Sequence, residues 1–160
     1  MQRRQFLISS GALLCAPSSL FASSPANEQA SAEFSPVLSA ATEPSGNRIG
    51  VWRDSGWQYS QPIPHRGHDS AYHRRRKELL FFSRRPGREL YIISTETGEL
   101  QHTKISENGY HYYGHGCLSV NGRYLYTTEN HVDNDGAGCI GIYDCEDNYR
   151  CLGHMDCEGI

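Results

Sequence analysis

The chain repeats itself, and the repeat restricts it to few architectures. One copy starts at Arg66-Gly67-His68-Asp69, runs through ELLFFSRR and RELYIISTETGEL, and ends in QHTKI. The second starts at Tyr113-Gly114-His115-Gly116, runs through NGRYLYTTEN and GCIGIYDCEDNY, and ends in RCLGHM. The two Gly-His pairs lie 47 residues apart. In each copy a short strand follows a charged or Gly-containing turn. A second strand ends at a polar turn, Glu96-Thr97-Gly98 in one and Glu146-Asp147-Asn148 in the other, and a last strand leads away. Short antiparallel strands joined by hairpins at a period of ~40–50 residues predict the blades of a β-propeller. The polar turns fit, because tight turns place residues at backbone angles that Gly, Asn and Asp tolerate. No stretch shows a sustained helical apolar face. Ten tyrosines and sixteen glycines among few aliphatic residues also favour β-structure. A β-sandwich is the competing architecture, but the long repeat with matching starts favours the propeller.

Closing a propeller takes ~4–8 blades, and residues 48–160 have room for about two and a half. The expected fold is therefore all-β, with about two to three blades of a larger ring. An open stack leaves sheet faces unburied, and the last residues, Cys157-Glu158-Gly159-Ile160, fall where another repeat would begin. Both points predict an N-terminal fragment of a longer protein; three chains sharing one ring is the other arrangement.

The first residues, MQRRQFLISSGALLCAPSSLFASSPA, have the layout of a secretory signal. Arg3 and Arg4 are followed by an apolar stretch, Phe6 to Ala16, and then by small residues. The stretch falls short of the ~20 apolar residues that span a bilayer. Arg3, Arg4, Phe6 and Leu7 match the twin-arginine pattern, which the general secretion route does not require. Residues 1–22 are accordingly expected to be a twin-arginine signal peptide, cleaved after Ala22 or Ala26. The twin-arginine translocase would be a partner during export, and the periplasm the destination. That route carries folded cargo and so permits a cofactor inserted beforehand. Residues 23–47, rich in Ser, Ala, Pro, Glu and Asn, read as a flexible leader. Residues 48–160 are then the partial propeller domain, beginning with the strand-like RIGVWRDSGWQY.

Without the signal about 138 residues remain, enough for one small domain. The formal charge is -3 overall, and about -5 once Arg3 and Arg4 are removed. No basic stripe for nucleic acid is present. The one strong positive run, His73-Arg74-Arg75-Arg76-Lys77, reads as a solvated loop. Four of the six cysteines, Cys139, Cys145, Cys151 and Cys157, recur at even spacing. The spacing matches neither a zinc ribbon nor a haem-attachment motif. The periplasm permits disulfides, and Cys145 with Cys151 is the candidate pair; buried free thiols are the alternative.

No nucleophile motif, P-loop or dinucleotide fingerprint appears, so no catalytic residue is assigned. Histidine is the candidate ligand type. His68 and His115 occupy equivalent repeat positions, where such folds place either a structural hydrogen bond or a residue near the central channel. Glu129 and His131 are two apart on one strand and so share a face, and carboxylate with imidazole suits zinc or iron. His68, His115, Glu129 and His131 form the candidate metal set. Tyr110, Tyr112 and Tyr113 around His111 are expected to serve mainly in core and inter-blade packing.

The run YGHGCLSVNGRYLYTTENHVDNDGAGCIGIYD resembles the bacterial family called domain of unknown function 1513. Its members carry a GHG, a turn like S-x-D-G, LYTTEN, a Gly-rich loop and an IGVYD-like strand. FSRRPGRELYIISTETGEL resembles the blade before it, where the family reads like FARRPGR. The likeness covers roughly residues 48–160, and the twin-arginine start is shared. It implies a seven-bladed propeller of the YVTN or quinoprotein-like kind, exported to the periplasm, and no known reaction. Family members often occur beside imelysin-like proteins and haem-containing oxidoreductases, which implies periplasmic iron-handling proteins as partners. The chain departs from the family in lacking the remaining blades and in its number of cysteines. Three functions follow as expectations: a ligand- or partner-binding propeller linked to iron or metal handling, a metal- or quinone-dependent oxidoreductase-like propeller, and a non-functional truncated remnant.

Overall fold

The computed structural model describes residues 37–85 and 87–157. The expected signal and most of the expected leader lie outside the described residues. Eleven strands follow one another: β1 (Val37–Glu43), β2 (Gly46–Arg53), β3 (Gly56–Ile63), β4 (Gly67–His73), β5 (Glu78–Ser83), β6 (Glu89–Ser94), β7 (Leu100–Ile105), β8 (Tyr110–Leu118), β9 (Tyr124–His131), β10 (Ala137–Asp144) and β11 (Arg150–Asp156). Within each sheet, strands adjacent in sequence pair antiparallel. They form three sheets, β1-β2-β3, β4-β5-β6-β7 and β8-β9-β10-β11. The second and third sheets are the two repeat copies, each a four-stranded blade. Strand structure is present ahead of Arg48, where the sequence placed the start of the domain. β1 and the start of β2 occupy residues assigned to the leader, because SAATEPSGN, poor in large apolar residues, hides a hairpin pairing Glu43 with Gly46.

The middle blade explains the two longest apolar runs. Every residue of β5, ELLFFS, is buried, and so is nearly all of β6, ELYIIS. A strand covered on both faces loses its alternation and reads as a continuous apolar run. Leu79, Phe81, Tyr91 and Ile93 face the first sheet, where they meet Ile49, Val51 and Ile63. Leu80, Phe82, Leu90 and Ile92 face the third, where they meet Tyr112, Leu125, Tyr143 and Tyr149. Each fully buried Phe or Leu contributes about 1.5–3 kcal/mol. β9 instead alternates, with Leu125, Thr127 and Glu129 buried and their neighbours partly open. Among the described residues the third sheet is thus packed on one face, and Leu152 and Met155 of β11 are exposed.

The first sheet matches the last three strands of the other blades. Leu38 pairs with Val51, as Leu80 pairs with Ile92 and Leu125 with Tyr143. Ala40 of β1 lies against Gly67 at the start of β4, as Phe82 of β5 lies against Gly116 of β8. β1 is therefore the counterpart of β5 and β9. The position that β4 and β8 fill in their own blades, next to β5 and β9, has no strand in the first sheet among the described residues. The sheets touch mainly through β4 and β8, and through β1 and β2 against β4. β4 and β8 are thus inner strands, lying side by side where the blades converge.

The polar turns lie where the sequence put them. Gly98 and Asn148 have positive φ, 74° and 49°. Tyr149 follows at 54°, a conformation unusual for a bulky residue. It is held there from the middle blade: its hydroxyl donates to Glu78 Oε2 at 2.6 Å, and Arg76 donates to both oxygens of the same carboxylate at 2.8 and 2.9 Å. The positive run is therefore only partly a solvated loop. Arg76 serves this interface, Lys77 pairs with Glu96, and His73 is buried, its Nε2 donating to the Gly122 carbonyl at 2.7 Å.

Candidate functional site

The two repeat histidines meet. His68 Nε2 lies 3.2 Å from His115 Nε2, with ring centroids 4.7 Å apart and planes at 71°. Bulges bring them together. The β4–β5 register shifts between Gly67 and Asp69, and the β8–β9 register shifts between Tyr112 and Gly116. A bulge inserts residues without ladder partners and re-aims their side chains, so His68 and His115 leave their sheets toward each other. Gly114 permits the approach. Its φ is 100°, and a Cβ there would lie 2.5 Å from His68 Cδ2. Asp69 fixes the second ring: His115 Nδ1 donates to Asp69 Oδ2 at 3.1 Å, which leaves the His115 Nε2 lone pair facing His68. His68, Asp69 and His115 thus form a chain of polar contacts across two blades.

The pair borders a cavity of about 590 Å³, also lined by Arg84, Arg85, His111, Tyr113, Asn130 and Val132. Arg84 and Arg85 come from the β5–β6 connection; Asn130 is the last residue but one of β9. The Arg85 guanidinium sits 3.9 Å over the Tyr113 ring, a cation–π contact that orients it at the rim. Arg84 is tied to the blade by its backbone N–H, which donates to Arg66 O at 2.6 Å. The Asn130 Oδ1 atom is buried without a hydrogen-bond partner among the described residues. The mouth therefore combines two arginines, three histidines, an aromatic ring and an asparagine. The sequence singled out His68 and His115 but not Arg84 or Arg85. Their signal was the SRRPGR turn, where two adjacent arginines enter a blade connection.

The other half of the predicted metal set lies elsewhere. Glu129 is 2% exposed, on the face of the third sheet that packs against the middle blade. Its carboxylate accepts hydrogen bonds from Thr127 Oγ1, from the Tyr143 hydroxyl at 2.6 Å, and from His154 Nε2 at 3.0 Å. Gly141 makes the room, since a Cβ there would sit 2.1 Å from Glu129 Oε1. Burial pushes the Tyr143 phenol well above its ordinary range, with Tyr112 and Glu129 adding to the effect, so it stays neutral and donates. His131 does not reach the carboxylate. It stacks on Tyr110, which stacks in turn on His154, at centroid distances of 4.5 and 3.6 Å. The shared face expected of Glu129 and His131 holds, but Tyr110 fills the space between His131 and His154. His68, His115, Glu129 and His131 are thus two separate groups. Among the described residues no three His, Cys, Asp or Glu side chains are gathered as a metal cluster. His154 went unrecognised in the sequence because nothing near it in the chain announces its partner on β9.

The tyrosines divide as their strand positions require. Tyr112 is buried between blades, Tyr110 joins the histidine stack, and Tyr113 opens onto the cavity. Cys145 and Cys151 are both free thiols. Cys151 pairs across the ladder with Tyr143, while Cys145 lies beyond the end of β10 in the inter-blade core, so the strands do not oppose the two sulfurs. Burial pushes the Cys139 thiol up to about 11 and the Cys145 thiol up to about 12, which keeps both protonated. No helix among the described residues is long and apolar enough to cross a membrane.

Comparison with known proteins adds two findings. The model of the family described as "Protein of unknown function (DUF1513)" matches residues 61–160. Eight chains of solved structure match. One is described as dihydro-heme d1 dehydrogenase NirN in complex with DHE, with a TM-score of 0.59 at 14% sequence identity. The likeness covers 74% of this chain and 25% of that one, so this chain spans about a quarter of the length of NirN. At that identity the likeness shows the fold alone, and it identifies the three sheets as blades of a propeller-like fold. No curated protein matches.

Proposed function

The chain belongs to the DUF1513 family, and from that premise we propose that it is an exported, ligand-binding propeller whose inner mouth takes an anionic small molecule of the carboxylated tetrapyrrole class. One observation carries the reading: two inner-strand histidines and two arginines converge on one cavity of about 590 Å³. That volume lies within the ~300–1,000 Å³ of small-molecule sites. Arg84 and Arg85 supply donors that match carboxylates. Tyr113 supplies a flat apolar wall, and the histidines supply imidazole nitrogens. NirN, whose fold is similar, is a dihydro-heme d1 dehydrogenase, and a haem is a tetrapyrrole of this class. The twin-arginine start, outside the described residues, supports export to the periplasm by that translocase, with iron-handling proteins as the setting.

The test is an absorption titration of the full chain with metal-free protoporphyrin IX. The expected result is saturable one-to-one binding, weakened roughly tenfold when an arginine–carboxylate contact is removed by Arg84→Ala or Arg85→Ala. A folded protein that leaves the porphyrin spectrum unchanged would overturn the reading.

A further inference from the structure

We propose that His68 and His115 together ligate one divalent transition-metal ion at the inner mouth. The proposal deepens the reading above by naming a second chemistry for the same cavity, and it depends on that reading only for the cavity's role.

The separation of the two nitrogens carries the argument. Two imidazole nitrogens each ~2.0–2.1 Å from one tetrahedral ion lie about 3.3 Å apart. The two Nε2 atoms are 3.2 Å apart here, and the rings are inclined to one another. One ion therefore fits between them with little movement of either ring. Asp69 supplies what a ligating histidine ordinarily has behind it, a carboxylate on the far ring nitrogen that fixes the tautomer. His115 already presents its Nε2 lone pair. His68 needs only to carry its ring proton on Nδ1, which meets no hydrogen-bond partner among the described residues. The remaining coordination positions open onto the cavity, so an anionic ligand could complete the shell.

A hydrogen bond between the rings does not account for the arrangement. Both residues are exposed, and water would satisfy either nitrogen at little cost. Yet two strands bulge, and Gly114 adopts a φ of 100°, to bring these rings together. Distortion held in place by its surroundings is characteristic of functional sites. Imidazole donors suit zinc, copper, nickel and iron.

The experiment is calorimetric titration of the full chain with Ni²⁺ alone. One equivalent should bind. His68→Ala and His115→Ala should each weaken binding at least tenfold, and Asp69→Asn by about tenfold, the lower end of the loss expected for an outer-shell partner. His131→Ala, which removes a histidine stacked elsewhere, should leave the affinity unchanged. Failure of the wild-type chain to bind, or His115→Ala binding within twofold of wild type, would overturn the proposal. Should the alanine variants lose their fold, His115→Gln and the ¹⁵N imidazole shifts of the wild-type protein on adding Zn²⁺ keep it testable; unshifted His68 and His115 nitrogens would refute it. Arg84→Ala should reduce porphyrin binding and spare Ni²⁺ binding. Loss of Ni²⁺ binding with porphyrin binding intact sinks the metal site alone, and the converse sinks the tetrapyrrole reading alone.

Discussion

Removing one hydroxyl at the blade interface should cost more than its size implies. Tyr149→Phe deletes the donor that meets Glu78 Oε2 at 2.6 Å across 71 residues of chain. Glu78 is 4% exposed, so water cannot replace the lost bond. Burial alone would raise the Glu78 carboxyl, but hydrogen bonds from Arg76 and Tyr149, with the Arg76 charge, outweigh it and hold the group below its ordinary 4.5. The carboxylate is thus charged in the folded state, and hydrogen bonds to charged groups contribute about 1.5–3 kcal/mol. Tyr149→Phe should destabilise the chain by about 2 kcal/mol in a urea titration near pH 7, with the ring still packed among Leu80, Phe82 and Leu125. The pH dependence follows from the sign of the shift. A carboxylate depressed by folding stabilises the protein above its unfolded pKa, and that stability is lost as pH falls through the lower folded value. The cost of Tyr149→Phe should therefore be full at pH 7 and shrink on acidification, as the pH falls through the lowered folded value of Glu78 and the carboxylate becomes protonated. A cost below about 0.5 kcal/mol at pH 7, or one that grows on acidification, would refute the reasoning.

Three further outcomes follow. Gly114→Ala places a Cβ 2.5 Å from His68 at a φ of 100°; it should cost about 1–2 kcal/mol of stability and abolish Ni²⁺ binding. Of the five described cysteines, exposed Cys117 and Cys157 should react quickly with a thiol reagent in native buffer, and buried Cys139 and Cys145 only on unfolding; reductant should leave the mass unchanged. Hydrogen exchange should be fast at those β1 amides that point away from β2, and slow throughout β5 and β9, which are paired on both edges.

The sequence made the blades legible because their signal is local. The polar turns, the apolar runs of β5 and β6 and the repeated Gly-His starts all fall within single copies of the repeat. β1 was missed for the opposite reason: Ser39, Ala40 and Ala41 carry no strand signal of their own, and the strand exists only against β2. The site divided in the same way. His68 and His115 were found because the repeat itself puts them in register. Glu129 was grouped with His131 by strand alternation, which predicts a shared face but not what fills it. Tyr110 and His154 come from other strands and decide that geometry. Arg84 and Arg85 became meaningful only once β4 and β8 set where the mouth lies.

Backbone amide mapping of bound protoporphyrin IX by NMR tests the central claim most directly. Shifts concentrated at His68, Arg84, Arg85, Tyr113 and His115 are the predicted result. Shifts concentrated instead on the exposed face of β11, at Leu152 and Met155, would contradict it, marking adsorption to an uncovered blade rather than binding at the inner mouth.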